Sequence, residues 1–289
     1  YDFIVDHDFL PLIRMPISIS TANPKLSPII SALRKYLERG SKTSLAPLYV
    51  EGEHDWLRRR LEKSLSGEER AWLREMRRAG GSVSVALASD NYPVSFYNHE
   101  EGAFQGIALD VLQGISDLTG LTFTPANRPG RPPDEILSDV VHGRADLAAG
   151  ISSDVPFDHV LWSDKPFATT QCALLTLADR PGVARSLVPY LRTGLVRNSR
   201  TAAVYVASFP ESAHDVYYDN YDEALADLRE GHVDFVMASE NVLLRQNNYL
   251  EDTAFKVAML FDHPLAMRFA LGPEQRQLRG IVDKAQERV

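Results

Sequence analysis

EEGAFQGIALDVLQGISDLTGLTF, residues 100–123, decides how the rest of the chain is read. Gly102 and Gly106 bracket a turn. Ile107, Val111, Leu112, Ile115 and Leu118 then recur at helical spacing, so one face of a helix is buried. Gly120 is a stop signal, and the Leu-Thr-Phe-Thr after it reads as a strand. Turn, helix and strand in this order open a βαβ unit. Gly106 and Asp110 read either as setters of the loop-to-helix entry or as ligand contacts.

Working outward, SVSVAL (82–87) is a strand before this unit, and strands alternate with helices after it. A helix near 134–142 leads through Gly143 to ADLAAG, and KPFATTQCALLTL (165–177) is a long extended run. TGLVR, a helix from Ser199, HDVYYD, a helix at 221–230 and VDFVMA follow; FKVAML, AMRFAL and a helix at 273–288 close the chain. Such alternation predicts an α/β fold with largely parallel sheets. VVHGRADLAA (140–149) is echoed by DLREGHVDFVMA (227–238), with the two Asp residues 88 positions apart. Two lobes of similar topology are therefore expected within 82–289.

Before residue 82 the chain reads differently. DFIV and MPISIS are strand patterns, NPKLSPIISALRKYLERG is a helix ending at Gly40, and 41–53 is a connector. HDWLRRRLEKSLSGEERAWLREMRRAGG (54–81) reads as two helices, the second opened by a Ser66/Glu69 capping box. Trp56, Leu57, Leu61 and Leu65 share one face; Trp72, Leu73 and Met76 share the next. In its apolar positions the stretch 17–33 resembles 269–285, so residues 1–48 are expected to be an incomplete closing part of a domain like the one that follows.

With 289 residues, 44% of them hydrophobic, there is material for roughly two domains. A net charge of −8 with no basic stripe argues against nucleic acid. No run reaches the roughly 18 apolar residues that a membrane span needs. Tyr1 opens in mid-pattern without a signal peptide, which reads as a piece of something longer. Cys172, the sole cysteine, excludes an internal disulfide; within an apolar run it reads as core rather than nucleophile. His54 beside Glu51, Glu53 and Asp55 reads as solvated charge, so no metal and no cofactor is expected. P-loop, nucleophile-elbow and zinc-protease motifs are absent.

The motifs VSVALASDNYPVSFYN, EEGAFQGIALDVLQGISDLTGLTF, GRADLAAGISS, LWSDKPF and YDEALADLREGHVDFVMAS, taken in order, resemble a type II periplasmic solute-binding domain of the amino-acid-binding branch. The connector is similar to the linker between tandem domains in the periplasmic half of bacterial sensors such as histidine kinases and diguanylate cyclases. The resemblance implies a two-lobed Venus-flytrap fold with a ligand cleft, the lobes joined by two crossing strands within 165–177 and 264–271. It places a remnant domain at 1–48, a helical linker at 49–81 and the binding domain at 82–289. Lobe one would take about 82–170 plus 268–289, and lobe two about 171–267. It also implies a periplasmic location, membrane contact only through flanking segments, and a possible homodimer.

By the same resemblance, Tyr92 or Phe96 would cover a ligand, or merely wall the cleft, and Asp90 could take an ammonium. The family's Gly-x-Thr-x-Thr-x-x-Arg carboxylate clamp corresponds to Gly150, Ser152, Asp154 and Phe157, so its arginine is lost. The lobe-two acid that takes an amino group corresponds to Ser239, with Glu240 next to it. A free α-amino acid held in the usual way is therefore not expected. Arg197, Ser199, Arg200 and Thr201 stand at a helix start, where free amides favour an anion; the other reading is a Ser199 cap with two solvated arginines. The expected partner is a small, weakly acidic or aromatic molecule, and the expected role non-enzymatic ligand sensing. A transport-type binding protein, a dehydratase-like enzyme using Asp90, Asp154 or Glu240, and a relay domain with a self-filled cleft remain alternatives.

Overall fold

The computed structural model describes residues 21–38, 45–155 and 157–289. The strands expected in DFIV and MPISIS, and the helix stop at Gly40, lie outside the described residues. The chain divides into two compact units, Tyr1–Asp55 and Trp56–Val289. In the first, Asn23 caps a single 3-10 turn (Pro24–Leu26) that leads into α1 (Ser27–Glu38). Helix α2 (Leu45–Ser64) starts inside the stretch expected as connector. Pro47 falls in its first turn, where a missing amide hydrogen costs nothing. The capping box of α3 (Gly67–Arg78) forms as expected: Ser66 Oγ accepts from Glu69 N at 3.1 Å, and Ser66 N donates to Glu69 Oε2 at 2.6 Å.

Lobe one is built on β1 (Ser82–Leu87), whose alternation sends Val83, Val85 and Leu87 into one core and Ala86 and Ala88 into another. A small antiparallel sheet follows, of β2 (Asp90–Asn91), β3 (Ser95–Asn98) and β4 (Ala103–Gln105). Next come α4 (Ile107–Thr119), β5 (Thr122–Pro125), α5 (Pro133–Val141), β6 (Leu147–Ala149) and β7 (Leu161–Trp162). Leu112, Ile115 and Leu118 of α4 are buried, as their spacing requires, while Ile107 stays exposed. Leu61, Leu65 and Leu73 of α2 and α3 belong to this same core, so the helices expected as a linker are, from Trp56 onward, packed into lobe one.

Lobe two contains β8 (Ala168–Leu177), β9 (Thr193–Val196), α6 (Arg200–Ser208), β10 (Asp215–Tyr218), α7 (Tyr221–Glu230), β11 (Phe235–Ser239), α8 (Glu240–Leu244) and β12 (Phe255–Met267). Its sheet runs β10-β9-β11-β8-β12; the first three strands are parallel and the last two antiparallel. Phe235 and Met237 face α6, while Val236 and Ala238 face α7. FKVAML and the start of AMRFAL form one strand rather than two, with register irregularities at Val257/Met259 and Phe261/Pro264. The chain then returns to lobe one: β13 (Ala270–Leu271) inserts between β6 and β7, and α9 (Arg276–Gln286) adds Leu278, Ile281 and Val282 to its core.

The internal echo has a structural meaning. Gly143 and Gly231 both adopt positive φ, +68° and +79°, after α5 and α7. Asp146 Oδ2 accepts from Ser84 N at 2.8 Å, and Asp234 Oδ2 accepts from Arg192 N at 3.1 Å. Asp146 thus pins β1 in lobe one, and Asp234 pins the start of β9 in lobe two.

Candidate functional site

The paired strands β8 and β12 of lobe two run back toward lobe one, and the lobes meet where Phe167 N donates to Met267 O at 2.9 Å and Ser163 N to Phe269 O at 2.8 Å. Two passages of chain therefore join them, the second within 264–271 as expected and the first beginning at Ser163, just before the expected 165–177. The cleft wall from lobe one is the β2–β3 hairpin. Its position depends on Gly106, whose φ of +123° brings the start of α4 against the hairpin. Ile107 N donates to Pro93 O at 3.0 Å and Ala108 N to Val94 O at 2.9 Å, and no side chain could fit between. Gly106 thus sets the loop-to-helix entry, and Asp110 follows in the first turn of α4.

Asp90, Tyr92 and Phe96 project from this hairpin into a cavity of about 310 Å³, which Arg245 and Tyr249 close from lobe two. The Tyr92 and Phe96 rings lie 4.9 Å apart, and the Tyr249 ring lies 5.7 Å and 5.4 Å from them. Asn241 Nδ2 donates to Asn91 Oδ1 at 2.9 Å, and Asn91 Nδ2 donates to Gly150 O at 2.8 Å. Arg245 is paired with Asp222 at 2.7 Å.

The remaining candidates separate into those at the cleft and those bound up in scaffold. At the start of α6, Ser199 Oγ accepts from Ala202 N at 3.1 Å and donates to Val196 O at 2.7 Å, so it is the N-cap. Thr201 is buried, its Oγ1 2.9 Å from the Tyr221 hydroxyl. Burial raises the Tyr221 pKa, and hydrogen bonds with Thr201 and Ser199 oppose the rise. Arg200 is exposed and has no hydrogen-bond or ion-pair partner among the described residues. Burial pushes the Cys172 thiol up to about 11; Arg200 from lobe two opposes this and Asp154 from lobe one adds to it. Cys172 is fully buried and belongs to the core of lobe two.

Arg197 turns to Asp219 at 3.0 Å. Gly150, at φ +88°, has no room for a side chain beside Ser95 and Ala88 and offers its carbonyl to Asn91. Ser152 bridges to Met267 in the strand pattern and bonds Asp154 at 3.1 Å. Phe157 packs on the Ile136–Leu137–Val140 cluster of lobe one and is not among the residues lining the cavity. Ser239 ends β11 opposite Cys172, and Glu240 accepts from Gln171 N at 3.1 Å. Sequence reasoning missed Asn91, Tyr221, Asn241, Arg245 and Tyr249. Of these, only Asn91 and Tyr221 sit in motifs that had been singled out.

No protein-family model and no curated protein matches the sequence. Solved structures do match. The periplasmic VFT2 domain of Bordetella pertussis BvgS is 24% identical with a TM-score of 0.65, over 78% of this chain and 93% of that one. A histidine kinase sensor domain with similarity to periplasmic binding proteins is 18% identical (TM-score 0.58), over 71% and 89%. An ancestral arginine-binding protein bound to arginine is 18% identical (TM-score 0.58), over 72% and 91%. The fold is the two-lobed periplasmic-binding-protein, or Venus-flytrap, fold.

Proposed function

We propose that residues 82–289 are the ligand-sensing domain of a transmembrane receptor, on the periplasmic side of the membrane, and that a small molecule in the interlobe cleft sets the lobe arrangement passed to an output module. The observation carrying this reading is the convergence of aromatic and polar side chains from both lobes on one cavity, while two passages of chain join the lobes. A ligand touching both walls has different affinities for open and closed forms, which is what shifts such an equilibrium. A ring would stack on Tyr92 and Phe96, and an anionic group would meet the unpaired Arg200 and the amides at the start of α6.

The two charged groups of the amino-acid clamp are replaced by Phe157 and Ser239, which supports a ligand other than a free α-amino acid. The likeness to the BvgS domain and to a kinase sensor domain supports sensing over transport. Residues 1–48 are read as the remnant of a preceding domain, and homodimerisation is compatible with the reading. Native mass spectrometry of the purified protein, followed by a thermal-shift screen of small aromatic acids, tests it. A bound or stabilising compound whose effect depends on cleft residues is the expected result. Turnover of that compound would replace sensing by catalysis.

A further inference from the structure

Among the described residues, the side chains that line the cavity from lobe two come from one short segment. Helix α8 runs on into a π-helical turn, Arg245–Tyr249, closed by Leu250 N donating to Arg245 O at 3.0 Å. A π turn is rare, and such turns occur frequently at functional sites, so its presence here points to a side chain that must be placed. Here that side chain is Tyr249, which completes a triangle of rings with Tyr92 and Phe96. Two turns earlier, Asn241 is 7% exposed and bonded to Asn91, which is itself fixed to the Gly150 carbonyl. At its root the segment is tied to the crossing strand through Glu240 and Gln171 N.

We infer that residues 240–249 are an intramolecular clasp: the protein's own side chains hold the lobes together, and the ligand-free domain rests mainly closed. Opening requires breaking the Asn241–Asn91 bond and lifting Tyr249 off two rings. Neither contact needs a third partner. The clasp also makes Tyr249 a gate, because it packs against the two rings that a stacking ligand would use. A ligand then acts by displacing Tyr249 rather than by drawing together two separated lobes. Each contact class is of a size that shifts an equilibrium by about three- to tenfold, so the pair together should shift it by about ten- to a hundredfold.

The inference goes beyond ligand sensing and is tested without a ligand. Spin labels at Glu100→Cys in lobe one and Ala203→Cys in lobe two, in a Cys172→Ala background, report the interlobe distance by double electron–electron resonance. The full chain is used after exhaustive dialysis. The expected result is one dominant short distance for the parent, and a ten- to hundredfold larger open-to-closed ratio in Tyr249→Ala/Asn241→Ala. Tyr249→Ala alone, at a half-buried position, should give an intermediate ratio and serves where the Asn241 change impairs folding by circular dichroism. A parent that is mainly open, or Tyr249→Ala populations identical to the parent's, would overturn the clasp. Either result leaves the ligand screen standing, and a failed screen leaves these distances standing.

Discussion

Lys284 Nζ donates to both carboxylate oxygens of Glu69, at 2.7 and 2.5 Å, and so ties α3 to α9 across 215 residues of chain. Burial works against the Glu69 carboxylate, but Lys284 and the Ser66 hydrogen bonds together hold its pKa below the usual range. The close approach is made at Gly280, where an added methyl would run into Glu69 Oε1. Glu69 cannot swing away cheaply, since it also closes the capping box. Gly280→Ala should therefore cost about 1–3 kcal/mol in urea unfolding, less than a fully buried pair because Lys284 is a third exposed. In a Glu69→Gln background the cost should shrink.

The same pair has a pH signature. A carboxyl whose folded pKa is depressed contributes stability above its unfolded value, about 4.3, and loses it as pH falls through the lower folded value. The stability gap between parent and Glu69→Gln should therefore be constant from pH 7 to 5 and close below about pH 4. A gap that widens on acidification would contradict the assignment.

Gly150 looked like part of a ligand clamp, yet its positive φ and its contacts with Ser95 and Ala88 give it a scaffold role. Gly150→Ala should destabilise by about 2 kcal/mol or more, through strain and overpacking, as read by denaturant titration. It should also move the carbonyl that holds Asn91.

Cleft chemistry is separable by two substitutions. Arg200→Ala removes a charge but leaves the α6 amides, so a stabilising aromatic acid should lose about 1–2 kcal/mol of binding. Tyr92→Ala should cost about as much by removing stacking area. Thermal shifts on parent and both variants decide this; equal shifts in all three would move the ligand elsewhere.

Glycine, glutamine, glutamate and arginine should bind weakly if at all. Losing one partner of a buried charge pair costs roughly 3–5 kcal/mol, a hundredfold or more in affinity. Phe157 in the lobe-one cluster cannot supply the missing guanidinium. Calorimetry giving a submicromolar dissociation constant for any of the four would refute this.

Periodicity and punctuation made most of the fold legible. Helix α4, the Gly143/Gly231 echo and the Ser66–Glu69 box are local patterns, and each formed where it was read. Apolar faces on α2 and α3 announced burial but not against what; the answer, lobe one, depends on contacts with α4 and α9 far along the chain. Trp56, placed on the same apolar face, is instead 56% exposed, with the Arg60 guanidinium 5.1 Å over its ring. The cleft was legible on the lobe-one side, where Asp90, Tyr92 and Phe96 follow a strand. Asn241 and Tyr249 were not, because a five-residue helix running into a π turn has no periodicity long enough to read.

The insertion of β13 between β6 and β7 bears on the order in which the chain can fold as it leaves the ribosome. One inner strand of the lobe-one sheet, between β6 and β7, and the α9 face of its core are supplied by residues 270–286. Lobe two, by contrast, is contiguous from 168 to 267. Domains made first usually fold first, but here the earlier-made lobe must wait with an open sheet while the later one completes itself. Nascent lobe one therefore exposes unpaired edges on β6 and β7 for the time needed to synthesise more than a hundred residues. That interval is where a chaperone, or an aggregation-promoting substitution, would act on this protein.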